Sequence, residues 1–216
     1  MRIGVLGTGN MADALAAHWV RAGHEVTVGG RDTDRARRLA ERLGDGVRHG
    51  DLAAAGAGEV VLVALPYGVG EVVVRELSAA LDGKVLLDCS NPVGAPGFRL
   101  LTGDGPSAAR RLALAAPGAR VVKAFNLCHE GVWRMAPPVF DGRPLAVPVC
   151  GDDPAALALV GTLVRDAGCT PVAAGGLDRA GLLEATAALF IGLWVGEGAD
   201  VQAIAPPLAY AAGAAG

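Results

Sequence analysis

Residues 2–12 read RIGVLGTGNMA, and this stretch decides the fold of the chain. A short apolar run, typical of a buried β-strand, is followed at once by a G-x-G-x-x-A turn and then by a helical pattern, the context in which such a turn holds a dinucleotide. Gly7 permits the tight turn, Gly9 lets backbone approach a pyrophosphate, and Ala12 lets the helix pack on the strand, with the helix N-terminus facing the anion. The cofactor-binding residues predicted from this turn are Gly7, Thr8, Gly9, Asn10, Met11 and Ala12.

The next apolar run predicts which dinucleotide is bound. Residues 24–28 form a strand pattern that ends at Gly29-Gly30-Arg31, about twenty residues after the glycine turn, where dinucleotides are distinguished. A carboxylate there would bind the ribose hydroxyls of NAD, whereas Gly30 leaves space and Arg31 offers a guanidinium that suits a 2′-phosphate. Arg31 is otherwise a solvated loop residue, and we interpret Asp32 beside it as the N-cap of the next helix. We therefore predict NADP(H) as the cofactor.

Composition limits the class of protein. The 216 residues carry a net charge of −3, and the arginines are scattered, which leaves no basic stripe for nucleic acid. The four cysteines are widely spaced, without C-x-x-C pairs or histidines at zinc spacing, so we predict reduced thiols and no metal site. The chain starts directly with a strand, and no apolar run reaches the roughly 18 residues of a membrane span. We expect a soluble, cytoplasmic protein without membrane contact.

Alternating strand and helix patterns predict an α/β fold: a Rossmann-type, doubly wound, mostly parallel sheet with a small C-terminal α/β extension. Residues 59–65 and 84–88 are apolar runs of the kind expected for strands buried on both faces. The strand pattern at residues 145–150 contains Pro148, which predicts an edge strand. We assign residues 1–140 to an NADP-binding Rossmann domain, residues 141–202 to the small C-terminal part, and residues 203–216 to a flexible tail.

Residues 177–197 form the last predicted helix. Its apolar residues share roughly one face, which is too apolar to be left in water. The face packs either on the protein's own sheet or on a second subunit, and we expect a homodimer. The residues of this face are Leu182, Leu183, Thr186, Leu189, Phe190, Leu193 and Trp194.

Further candidate site residues follow the carboxyl ends of the predicted strands, where ligands bind in such sheets. The prolines either end strands or wall the site, and the asparagine amides can hold a carboxamide or a second ring. His129 is the one histidine near this site, either as a proton donor or as an exposed loop residue. Hydride transfer between a nicotinamide and a flavin-like ring needs orientation rather than a side-chain acid, which fits the scarcity of catalytic groups. These strand-end residues are Leu65, Pro66, Asn91, Pro92, Ala124 and Asn126.

Six motifs, spread over nearly the whole chain, carry a family resemblance. They are Gly7-Thr8-Gly9-Asn10, Val28-Gly29-Gly30-Arg31, Asp88-Cys89-Ser90-Asn91-Pro92, Val122-Lys123-Ala124-Phe125-Asn126, residues 147–153 and Leu183-Glu184. They resemble the NADPH:F420 oxidoreductase family, and also the NADPH-oxidoreductase domain of six-transmembrane metalloreductases, which passes hydride to a flavin. Gly97-Phe98 and Ser107-Ala108-Ala109 resemble the deazaflavin enzymes in particular. The resemblance implies NADPH held by Thr8, Asn10 and Arg31, with the deazaflavin F420 laid against the nicotinamide.

Two positions depart from that family's pattern, which has a serine at the place of Gly30 and a histidine at the place of Asn126. The Lys-Ala-Phe-Asn version is shared with the metalloreductase domain. We predict an enzyme, an NADP-dependent oxidoreductase that moves hydride between NADPH and F420 as a small-molecule acceptor. The alternatives are NADPH-dependent reduction of a flavin or of a small imine or carbonyl metabolite, and, in another class, a non-catalytic NADPH-sensing protein.

Overall fold

A computed structural model describes residues 1–201 and residue 204 and arranges them around one eight-stranded sheet. The strands are β1 (Arg2–Leu6), β2 (Glu25–Gly29), β3 (Arg48–Gly50), β4 (Val60–Val63), β5 (Val85–Asp88), β6 (Val93–Gly94), β7 (Arg99–Leu100), β8 (Arg120–Lys123), β9 (Val139–Phe140), β10 (Arg143–Pro144), β11 (Ala146–Gly151) and β12 (Thr170–Ala173). The α-helices are α1 (Asn10–Arg21), α2 (Thr33–Leu43), α3 (Leu52–Gly56), α4 (Val69–Glu76), α5 (Ala108–Ala115), α6 (Glu130–Trp133), α7 (Pro154–Asp166) and α8 (Ala180–Ile191). Apart from residue 204, the predicted tail lies outside the described residues.

The sheet runs β12-β11-β8-β5-β4-β1-β2-β3. All its neighbouring strands are parallel except β11 and β8, which pair antiparallel. This confirms the predicted doubly wound, mostly parallel Rossmann-type fold. The strand order reverses between β1 and β4, and the carboxyl ends of those two strands therefore form the crevice in which such folds bind ligands.

The buried strands explain why the sheet forms where it does. β4 and β5 are buried along their whole length, as strands covered by helices on both faces must be. Alternate residues of the strands divide between two apolar clusters. Helices α1 and α7 cover the cluster that contains Leu62, and helices α4 and α5 cover the cluster that contains Val61. The helix layers on the two faces of the sheet hold the strands in place, and the site lies at the carboxyl ends of these strands.

One sequence prediction needs correction. Strand β11 is not at the edge, because β12 lies outside it. Its antiparallel pairing with β8 covers only Cys150 and Gly151, so at Pro148 the strand has a ladder partner on one side only, which accommodates the missing N–H. Strand β8 ends at Lys123, so Asn126 lies in the turn after the strand, and the β6–β7 hairpin lies between β5 and α5.

The C-terminal helical segment, Leu177–Gly196, begins with a 3₁₀ turn, continues as α8 and ends in a π-helical turn at Gly192–Gly196. By length and composition it could cross a membrane, since an 18-residue window within it has a mean hydropathy of 1.3. Leu182 and Leu189, two residues of the predicted apolar face, are exposed in the single chain. What covers them, and whether the chain is a dimer, stay predictions.

Candidate cofactor and acceptor site

Four strand ends form one row at the switch point. Register pairs Leu6 with Val63, Val63 with Asp88, and Asp88 with Lys123. The segments that follow these residues therefore leave the sheet along one edge. This brings the glycine turn, residues 64–67, residues 89–91 and residues 124–126 together, as expected from the sequence.

The glycine turn leaves room for a phosphate. Gly7 has a φ of +124°, and a Cβ there would lie 2.3 Å from the carbonyl oxygen of Ala64, so only glycine fits. A Cβ on Gly9 would meet nothing within 4 Å, which leaves open space before the N-terminus of α1. Backbone N–H groups at a helix N-terminus favour an anion. Asn10 is held from across the cleft, because its Nδ2 donates to Oε1 of Glu130 at 2.9 Å.

A cavity of about 300 Å³ lies at the end of β2 and is suited to a 2′-phosphate. Four of the predicted site residues, Gly7, Thr8, Gly30 and Arg31, line it together with Arg35, which was not among them. Asp32 is the N-cap of α2, as predicted, and accepts from the Arg35 backbone N–H at 3.1 Å. Its other carboxylate oxygen lies 3.4 Å from Arg35 Nε. The position of Arg35, one turn after Arg31, is the signal that could have found it.

A second cavity, of about 720 Å³, continues from the first at Gly9 and residues 64–66. The predicted residues that line it include Asn10, Met11, Leu65, Pro66, Asn91, Asn126 and His129. One wall comes from the far end of the chain, where Ile191, Trp194 and Val195 face the cavity, and sequence reasoning did not place them there. Ala12, Pro92 and Ala124 are buried behind the walls and line neither cavity.

The two predicted asparagines lie together and bind each other. Asn126 Nδ2 donates to Asn91 Oδ1 at 2.9 Å and to the Leu183 carbonyl at 3.1 Å, while Asn91 Nδ2 donates to the Asn126 carbonyl at 2.6 Å. Both amides are therefore fixed in orientation. Much of the hydrogen-bonding capacity expected for a ligand is used within the protein.

The residue between these strand ends holds a strained backbone. Phe125 has a φ of +62° and is 1% exposed. Its ring makes edge contacts with Trp19 and Trp133, at centroid distances of 6.2 and 5.3 Å. A non-glycine residue in the left-handed region costs roughly 1–3 kcal/mol and persists only where its surroundings enforce it. The two tryptophans supply that enforcement and so fix the turn that delivers Asn126.

The titratable side chains that line the second cavity are Tyr67, Cys89, Cys128, His129 and Glu130. His129 has a side chain that is 78% exposed, and its Nε2 lies 2.9 Å from Glu130 Oε2. Its Nδ1 accepts from the Gly131 backbone N–H at 3.2 Å, so both ring nitrogens are engaged. Burial raises the pKa of the Cys89 thiol to about 12 and that of the Cys128 thiol to about 11, which keeps both protonated at neutral pH. Among the described residues, no group of His, Cys, Asp and Glu has the arrangement of a metal site.

Taken together, the two cavities fit an extended dinucleotide. One end presents guanidinium groups, the middle presents helix N–H groups with no obstructing Cβ at Gly9, and the other end is mostly apolar. The nicotinamide half would lie beside Pro66, Asn91 and Asn126. The remaining apolar surface of the second cavity leaves space for an acceptor.

Comparison with known proteins gives this cleft a family. Residues 2–92 match the family described as NADP oxidoreductase, coenzyme F420-dependent. The F420-dependent NADP reductase of Methanothermobacter marburgensis is 30% identical over 210 residues, which cover 89% of this chain and 92% of that protein. The metalloreductase STEAP3 of Rattus norvegicus is 31% identical over 193 residues, but the chain spans only 38% of its length.

Solved structures agree on the fold. A crystal structure of a candidate F420-dependent NADP reductase from Arthrobacter sp. FB24 superimposes with a TM-score of 0.80, at 28% identity, and covers 91% of this chain and 94% of that one. An imine reductase from Streptomyces aurantiacus, at 21% identity, gives a TM-score of 0.68 and covers 90% of this chain and 62% of that one. The second likeness shows the shared fold alone.

Proposed function

Since this chain belongs to the F420-dependent NADP oxidoreductase family and is an NADP-dependent oxidoreductase, we propose that its acceptor is the deazaflavin F420. NADPH supplies a hydride when bound, and the protein holds the two rings against each other without a covalent intermediate. The chain's own residues bind the cofactor and the acceptor, orient the two rings and exclude water from the site. We also propose, from the F420-dependent relatives, that the protein acts in the cytoplasm.

One observation carries this proposal: the second cavity is roomy and mostly apolar. Its Trp194, Val195 and Ile191 wall faces the strand ends across the position assigned to the nicotinamide, and suits a flat ring system. Carbonyl or imine reduction needs a proton donor at the reacting centre. Among the titratable residues that line the cavity, which also include Tyr67 and Glu130, His129 is exposed and engaged with Glu130 and Gly131. A ring-to-ring hydride transfer asks only for orientation.

The cofactor end supports NADP(H) rather than NAD(H). Arg31 and Arg35 line the first cavity beside Gly30, and the one carboxylate there, Asp32, is engaged as the cap of α2. A capping carboxylate that already accepts from backbone and from Arg35 is poorly placed to accept from ribose hydroxyls.

The deciding experiment follows deuterium from stereospecifically labelled NADPH. We expect oxidation of NADPH by F420, with the label transferred from C4 of the nicotinamide to the ring carbon of the reduced deazaflavin. A panel of FMN, FAD and small imines and carbonyls run beside it tests the alternatives. Turnover of a flavin or an imine without turnover of F420, or reduced F420 without the label, would exclude the proposal.

Replacement of His129 separates the two kinds of chemistry. His129→Ala should leave turnover with F420 within about threefold of the unmodified protein, because no side-chain acid takes part. If His129 donated a proton in the reaction, the loss would be about 100-fold or more. His49→Ala, at an exposed position on β3 away from the cleft, is the matched control.

A further inference from the structure

Three charged side chains form a cluster immediately behind the strand ends. Asp88, Lys123 and Glu184 are each fully buried. Lys123 Nζ donates to Asp88 Oδ2 at 2.8 Å and to the Ser90 carbonyl, and it lies 3.3 Å from Glu184 Oε1. None of the three lines either cavity of the cleft, so the cluster lies behind the cavity walls.

Each carboxylate of the cluster also holds a backbone segment. Asp88 Oδ1 accepts from the Ser90 N–H at 2.9 Å. Glu184 accepts from the N–H groups of Ala108 and Ala109, at 2.9 and 3.2 Å, in the first turn of α5. The cluster thus joins the ends of β5 and β8 to α5 and α8 at one point.

The joint continues directly into the site. The carbonyl of Leu183, next to Glu184 on α8, accepts from Asn126. Ser90, held by Asp88 and Lys123, precedes Asn91, which is the partner of Asn126. One helix therefore carries Glu184 at its buried side and is continuous with the turn that brings Trp194 to the wall of the cavity.

Stability alone does not account for three buried charges. Removing each from water costs several kcal/mol, and replacing buried ion clusters by apolar residues is often neutral or stabilising. Burial by itself lowers the pKa of Lys123, but the carboxylates of Asp88 and Glu184 raise it overall, so the lysine stays charged. The second carboxylate is balanced by the N-terminal N–H groups of α5. What such a cluster supplies is a fixed geometry between four elements.

We propose that Lys123 and Glu184 are positioning residues for hydride transfer. They hold the Asn91–Asn126 amide pair in place, and they also hold α8, which leads to the cavity residues Ile191, Trp194 and Val195. Together these contacts set the angle and the distance between the nicotinamide and its acceptor. The inference rests on the proposed hydride transfer. It does not involve the Arg31 end of the cleft, which lies beyond Gly9.

Glu184→Gln tests this role because it removes one charge and keeps the shape. Lys123 and Asp88 remain as a one-to-one pair, and the Gln oxygen still accepts from one N–H group of α5, whereas its NH2 group cannot accept from the other. Glu76→Gln, an exposed glutamate at the end of α4, is the matched control. The readouts are NADPH affinity, the fluorescence lifetime of the bound nicotinamide, kcat, and the deuterium isotope effect on kcat.

We expect Glu184→Gln to bind NADPH within about twofold of the unmodified protein, while the fluorescence lifetime of the bound nicotinamide shortens. A small misplacement of reacting groups lowers rates steeply, so kcat should fall roughly tenfold to 100-fold. The isotope effect should rise, because hydride transfer becomes slower than product release. Unchanged kcat and lifetime would overturn the proposal, as would a loss of kcat matched by an equal loss of NADPH affinity.

A second variant controls for the possibility that a single substitution in the cluster disturbs folding. Lys123→Met alone leaves two unpaired buried carboxylates, but Lys123→Met combined with Asp88→Asn and Glu184→Gln leaves no buried charge. This triple variant should fold, bind NADPH and remain slow, and normal turnover from it would refute the positioning role. Because the fluorescence lifetime needs no acceptor, it tests the cluster even if F420 proves not to be the acceptor of the unmodified protein.

Discussion

Arg31 provides the sharpest test of cofactor choice. The perturbation is Arg31→Ala, which removes an exposed guanidinium from the cavity at the end of β2 and leaves the fold of the βαβ unit untouched. No ion pair or hydrogen bond engages the Arg31 side chain within the described residues, so the change breaks neither kind of interaction there. Any effect on binding then reports the ligand itself.

The magnitude follows from the partners in that cavity. A charge-assisted hydrogen bond contributes about 1.5–3 kcal/mol, so losing one should weaken NADPH by about tenfold to 200-fold. Arg35 should contribute less, because Asp32 already holds it at 3.4 Å and solvent screens the pair. We expect about a threefold to tenfold loss from Arg35→Ala. NADH, without the phosphate, should change by less than about twofold in either variant.

Titration of NADPH and NADH at about 0.05 and 0.3 M salt measures these affinities, and the NADPH difference should narrow at the higher salt. Arg38→Ala is the matched control, since Arg38 lies on the same helix and does not line the cavity. Equal weakening of both nucleotides by Arg31→Ala would make the residue structural. The same weakening of NADPH by Arg38→Ala would reduce the effect to general charge.

Three further outcomes are expected. Gly30→Ser should weaken NADPH about fivefold, because the new Cβ would lie 3.1 Å from Cγ2 of Thr8; the added change Thr8→Ser should restore affinity, and tighter binding by Gly30→Ser alone would contradict this. Phe125→Ala should lower the free energy of unfolding by about 3–5 kcal/mol in denaturant titration. The control Phe140→Ala, at an exposed position, should lower it by less than about 0.5 kcal/mol, and equal losses would contradict a stabilising role of the buried Phe125 ring. A dimer should sediment at roughly 10 µM, and Leu189→Asp should dissociate it, whereas a monomeric unmodified protein would leave the exposed α8 face without a second subunit.

The sequence could predict most of the cofactor end because that end is local. A glycine turn, the next strand end and the cap at Asp32 all lie within the first 32 residues, and each signal has its own steric or hydrogen-bonding cause. Arg35 could have been predicted as well, because Asp32 as the N-cap already places the start of α2. Thr33 starts that helix, and this puts Arg35 one turn from Arg31 and beside the same cavity.

The acceptor end could be predicted only in part because it is assembled over long distances. Asn91 and Asn126 follow strands, so the parallel sheet brings them together. Their mutual hydrogen bonds, however, depend on the left-handed turn at Phe125, which Trp19 and Trp133 enforce from other helices. No periodicity in the sequence reports such a turn.

The last helix shows that an apolar pattern alone cannot distinguish a helix that spans a membrane from one that packs on the sheet. Its hydropathy permits a membrane span, yet Glu184 near its start is fully buried against Lys123 and the N-terminus of α5. A carboxylate so held docks the helix on the sheet, and the following turns then bring Ile191 and Trp194 to the cleft. The exposed face with Leu182 and Leu189 is left for another partner. The helix therefore has three faces: Glu184 binds the buried cluster, Ile191 and Trp194 line the cleft, and Leu182 and Leu189 are exposed. The position of the buried Glu184 sets the direction in which the other two faces point.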